Sequence, residues 1–172
     1  MSRRPRHRLP IVVATIAGAT VAVATAIAAL TVGPAIWQAA TTRLADIDTT
    51  VTLTASGATA TIPVAAGWSY STPLFDDSRL TVHSPDGAMS VEFMVTADAG
   101  AEDAARALGG EITAFDTEPI GQAEVVHART RDRAAVAGAV VQGDAVLAFL
   151  SQPSPDYDAE LATLLATVAV HG

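Results

Sequence analysis

The chain has 172 residues, with ten basic residues that are all arginine, eighteen acids, a net charge of −8 and no cysteine. That length allows one domain plus an appendage. The missing cysteine excludes disulfides, a thiol nucleophile and lipoprotein-type lipid attachment, so any outer domain is held by its core alone.

The first third differs from the rest. Arg3, Arg4, Arg6 and Arg8 precede any acid, and residues 11–37 carry no charge. Such a run exceeds the apolar core of a cleavable signal peptide, about 7–15 residues, and matches the roughly 20 residues that cross a bilayer. The sequence therefore predicts a single transmembrane helix from Pro10 to Val32, broken by Gly33-Pro34. Trp37 stands where an interfacial anchor belongs. The arginines keep the tail 1–9 cytoplasmic and place the rest outside a bacterial plasma membrane. Cleavage of the same segment as a signal would leave the domain outside but secreted. Ala14, Gly18, Ala22 and Ala26 recur every four residues, a spacing that lets membrane helices pack closely, with a homo-oligomer as one outcome.

Residues 38–49 read as a polar juxtamembrane link after the 10–37 span and its anchor, and 50–172 as the outer α+β domain. Beyond residue 37, six arginines face all eighteen acids, a net charge of −12. This surface repels nucleic acid and anionic lipid heads, so nucleic-acid binding is excluded. The all-arginine, alanine-rich composition reads as high-GC coding bias in a bacterium.

From residue 50 the pattern alternates with period two. Val51, Leu53 and Ala55 against Thr50, Thr52 and Thr54 predict a strand. Ser56-Gly57 turns the chain into a partner strand over 58–64. Residues 79–84 and 88–97 predict a hairpin about Pro85-Asp86-Gly87, with Met89, Val91, Phe93 and Val95 on one face. Ala101–Leu108 is a short helix ended by Gly109-Gly110. Strands follow at 112–117, 122–131, 134–142 and 145–151. The last two are so apolar that both faces must be covered. Ser154 as cap, Pro155 at the first position and Asp156 and Asp158 in the first turn predict a closing helix over 155–169. The sum is an α+β domain: one antiparallel sheet of about seven or eight strands with two packed helices.

A strand reading TIPV, a turn ending in Gly67-Trp68, a strand–PDG–strand hairpin, a short helix, further strands and a C-terminal helix together resemble the PsbP-like sandwich over residues 50–170. The motif is Ile62-Pro63 followed by Gly67-Trp68, similar to the P-x-GW start of such domains, with Val64, Ala65 and Ala66 lengthening the spacing. The pattern is also similar to small ectodomains of type VII secretion-associated proteins. The PsbP-like resemblance implies a binding or assembly protein without a catalytic centre. Trp68 itself either plugs one end of the core, burying about 150–250 Å², or stacks on a ligand.

Chemistry-bearing patterns are sparse. His83 and Ser84 are adjacent on a strand and point to opposite faces, and no G-x-S-x-G elbow occurs. The four histidines are scattered. Asp156-x-Asp158-x-Glu160 alternates like a calcium loop, but a helix start explains those acids through the dipole. No metal or other cofactor is expected. His127, Arg129, Arg131 and Arg133 alternate and share a strand face. They form either a stripe that recognises an anionic ligand or partner, or a solvated face paired to neighbouring acids. The reading is a non-enzymatic, membrane-anchored extracytoplasmic module that engages an envelope protein. The alternative is a domain that holds a small apolar or anionic ligand, and an enzyme stands last.

Overall fold

The computed structural model describes residues 42–47, 49–112, 114–121, 123–131, 135–152 and 158–172. Thr41–Gly172 form one compact unit. Its strands are β1 (Thr42–Leu44), β2 (Thr50–Ala55), β3 (Ala58–Pro63), β4 (Ser69–Ser71), β5 (Arg79–His83), β6 (Ser90–Thr96), β7 (Asp116–Ile120), β8 (Ala123–Arg129), β9 (Val136–Gln142), β10 (Ala145–Gln152) and β11 (Ala169–His171). The helices are α1 (Ala101–Gly109) and α2 (Asp158–Ala166).

The expected single sheet is corrected. The described residues form two sheets, an eight-stranded one ordered β1-β4-β5-β6-β10-β9-β8-β7 and a three-stranded one ordered β11-β3-β2. Every pairing is antiparallel. The hairpin β2–β3 belongs to the smaller sheet, where the C-terminal strand pairs with β3. The predicted helix to residue 169 stops at Ala166, where Thr167 and Val168 donate back to Leu164 and Leu165 at 3.1 and 3.3 Å. Val168 and Val170 are both buried, a period-two pattern. The Val170 N–H also donates to the Gln142 side-chain oxygen at 2.7 Å. The smaller sheet packs on β6, β9 and β10 of the larger one.

The transmembrane helix expected from Pro10 to Val32 falls outside the described residues. Among the described residues no helix is long and apolar enough to cross a membrane. The two helices have nine residues each, about 14 Å at 1.5 Å per residue, against a hydrocarbon core of about 30 Å. Residues 10–32, Ala14, Gly18, Ala22, Ala26 and Trp37 lie outside the described residues, as do Ser154, Pro155 and Asp156. The segment read as a link contains β1, which pairs with β4 through Arg43 opposite Tyr70.

The main core lies between the sheets. Leu53, Ala60 and Ile62 from the smaller sheet meet Leu80, Val91, Phe93, Leu147 and Phe149 from the larger one. Met89, Val91, Phe93 and Val95 are all buried, as the alternation in β6 predicts. Strands β9 and β10 are covered on both faces. On the far face Ala139, Val146 and Ala148 pack against Ala104 of α1. Small residues let that helix lie close, and a Cβ on Gly109 would collide with the Cβ of Ala137.

Gly138 sits at the centre of β9, opposite His127 on one side and Phe149 on the other. A Cβ there would enter the space of the Val126 carbonyl and the Phe149 ring. Phe149 is 1% exposed and belongs to the main core. Gly138→Ala is expected to destabilise the chain by about 1–3 kcal/mol, as overpacking of a tight core does. Urea unfolding checks it; an unchanged midpoint would show that the sheet yields at this point.

Candidate functional site

The turn after β3 builds one wall of a cleft. Gly67 has φ +84°, and the Trp68 N–H donates to the Ala65 carbonyl at 3.1 Å. A third turn residue at positive φ calls for glycine. Ala45 donates to the Trp68 carbonyl at 2.7 Å and accepts from the Gly67 N–H at 3.0 Å. The β1–β2 connection is thereby tied to the Gly67-Trp68 turn. Trp68 is half-buried, packing on the main core with one part of its surface.

Its remaining surface lines a cleft of about 710 Å³. Val64 and Val82, both buried, contribute to its base. Ile47, Thr49 and Thr50 come from the β1–β2 connection and the start of β2, and Pro63, Ala65 and Ala66 from the end of β3 and its turn. Helix α2 supplies Ala159, Glu160, Thr163 and Leu164, and Thr167 follows just beyond its end. Glu160, Thr163 and Leu164 follow the i, i+3, i+4 spacing of one helix side. Both readings of Trp68 thus describe parts of one side chain, which packs on the core and faces an opening.

The opposite side of α2 lines a second cleft of about 450 Å³, through Asp158, Leu161, Ala162 and Leu165. Its other lining includes Asp116, Glu118, His127, Arg129 and Phe149. The alternating stripe is found here in part. His127 Nε2 lies 3.2 Å from Glu118 Oε1, and Arg129 donates to Asp158 at 3.0 Å, joining β8 to α2. Arg131 donates to Glu111 at 3.1 Å and does not line this cleft. Arg133 lies outside the described residues. The structure therefore brings His127 and Arg129 together, each beside a carboxylate.

Other polar side chains act locally. Ser84 accepts from the Met89 N–H at 2.9 Å and donates to Asp86, so it holds the β5–β6 turn. Arg106 donates to Glu102 at 2.7 Å and lies 5.0 Å from the Phe115 ring centroid. Among the described residues no three His, Asp or Glu side chains converge as metal ligands. Large apolar side chains also stand in solvent: Leu44 and Ile47 beside the Trp68 turn, and Leu74 and Phe75 between β4 and β5, with Phe75 97% exposed.

The β4–β5 loop is anchored by Asp76. Its carboxyl is held below the ordinary 3.8 first by the hydrogen bond from the Ser78 hydroxyl, then by the Ser78 N–H and the Arg79 charge, against some desolvation. Sequence reading missed the cleft. Only Trp68 and the Gly67 turn signalled it, because its far wall is a helix almost a hundred residues on.

Two outcomes follow. Because Asp76 titrates lower in the folded chain, its contribution to stability is complete above its unfolded value, about 3.9. It is lost as pH falls through the folded value. Ser78→Ala should move the Asp76 titration, followed by carboxyl carbon NMR, back toward that ordinary value; an unmoved curve would remove the hydroxyl as its cause. Trp68→Ala should cost about 2 kcal/mol in urea unfolding, below the 3–5 kcal/mol of a fully buried aromatic. A cost at the buried level would mean the indole is core throughout. Comparison with protein-family models, with curated proteins and with solved structures finds no match, so the cleft is read from its own geometry.

Proposed function

We propose that this chain is a non-enzymatic binding module of the bacterial cell envelope, held at the plasma membrane by the uncharged run 11–37 and folded outside it. Its activity is to hold an apolar molecule in the cleft between Trp68 and α2. The observation that carries this reading is the cleft itself. About 710 Å³ lies within the range of small-molecule sites, roughly 300–1,000 Å³, and its lining is mainly apolar with few polar groups. The arginines before the run support the orientation. The PsbP-like order of elements supports a binding role without catalysis.

A second reading has its own observation. Leu44, Ile47, Leu74 and Phe75 are exposed at 73, 76, 53 and 97%. Apolar side chains presented in this way support contact with an envelope protein. In-membrane crosslinking of the full chain, with and without Phe75→Ser, tests it. A single captured partner that is lost in the variant supports this reading, and capture unaffected by the variant opposes it.

For the cleft, the full chain labelled with 5-fluorotryptophan is placed in phosphatidylcholine nanodiscs and titrated with decanol. The Trp68 resonance, assigned through Trp68→Phe, should shift saturably. Thr163→Phe, a change at an exposed helix position that fills the opening, should abolish the shift. No shift, or the same shift in the variant, would overturn the ligand-binding reading.

A further inference from the structure

Resting on the cleft reading above, we infer that the ligand is an apolar molecule ending in an ammonium group, and that the cleft rejects the same molecule ending in a carboxylate. The lining decides this through what its polar groups have left to offer. The Thr163 hydroxyl donates to the Ala159 carbonyl at 2.8 Å. The Thr167 hydroxyl donates to the Leu164 carbonyl at 2.8 Å. The Thr49 hydroxyl donates to the Asp46 carbonyl at 3.0 Å. A hydroxyl has one proton, so these three present only lone pairs to anything in the cleft.

Four backbone donors around the opening are spent in the same way, while the Ala65 and Ala66 N–H groups and the Thr50 hydroxyl stand in solvent. The N–H groups of Thr49, Val64, Trp68 and Thr167 all bind carbonyls within the chain. The ionisable side chain of the lining is Glu160, exposed and in no ion pair among the described residues. No arginine or histidine lines the cleft among the described residues. The described arginines closest to an anion-binding role, Arg129 and Arg131, are paired with Asp158 and Glu111 elsewhere. The site thus combines an apolar body, an indole whose face attracts cations, three hydroxyls that only accept, and one carboxylate. An ammonium head satisfies these acceptors and Glu160 together. A carboxylate head meets the like charge of Glu160, with acceptors facing it from those three hydroxyls.

Three probes with the same ten-carbon chain separate the terms: decylamine, protonated at neutral pH, decanol and decanoate. Each is titrated against the full chain in phosphatidylcholine nanodiscs, with the Trp68 fluorine resonance reporting occupancy of the cleft. Decylamine should bind at least about tenfold tighter than decanoate, with decanol between, the size expected from one exposed charge a few ångströms from the head group. In Glu160→Gln, an exposed substitution, the gap should shrink about threefold or more. Decanoate binding as tightly as decylamine would overturn the inference while decanol binding leaves the cleft reading intact. A gap unchanged in Glu160→Gln would also overturn it, since the preference would then belong to the −12 surface as a whole. Absence of decanol binding strikes the cleft reading itself.

Discussion

The ring of Phe149 occupies the space a side chain on Gly138 would need, and the rest of the architecture depends on that contact. Strand β10 is the middle of the large sheet, with β6 on one side and β9 on the other. A large aromatic at its centre fills the gap between the sheets, and a glycine beside it keeps the register. On the reverse face the same two strands present Ala137, Ala139 and Ala148, a surface shallow enough for α1 to lie directly on it. The sheet is therefore bulky toward the core and flat toward the helix, and one pair of strands carries both requirements.

Core packing on one side of the sheet then creates the openings. The three-stranded sheet lies mainly over β6, β9 and β10, so the ends of β5 and of β7–β8 need other cover. Helix α2 supplies part of it. Leu161 and Leu165 anchor it in the main core, while its two flanks stand over separate clefts. A nine-residue helix has little intrinsic stability in water, so burial of these leucines and the Arg129–Asp158 pair keep it in place. That exposed pair contributes modestly, and the leucines are the main restraint.

The electrostatics divide along the same helix. On the β8 side Arg129 meets Asp158 of α2 and His127 lies beside Glu118 of β7, so both basic side chains of the second cleft have a carboxylate partner. On the Trp68 side three hydroxyl protons are consumed by carbonyls, and Glu160 is in no ion pair among the described residues. Two clefts built on one helix thus differ in chemistry because different helix positions face them. Positions 158, 161, 162 and 165 serve one, and 159, 160, 163 and 164 the other.

Much of the local structure was legible in the sequence. The alternation of Met89, Val91, Phe93 and Val95 predicted a half-buried strand, Pro85-Asp86-Gly87 its turn, and Gly109-Gly110 the end of α1. Each depends on neighbours within a few residues. The apolar runs of β9 and β10 also announced two covered faces. The pairing of Ala169–His171 with β3 was not legible, since a short run after a helix is indistinguishable from a further helical turn until an edge is available to it. Nor was the second sheet, whose third strand comes from the far end of the chain. Trp68 could be placed after a glycine turn, but what it faces is decided by α2, which folds against it from the other end of the sequence. Period and turn chemistry are local properties and can be read from residues in order; clefts and sheet edges are made by non-local contacts, and only the tertiary structure decides them.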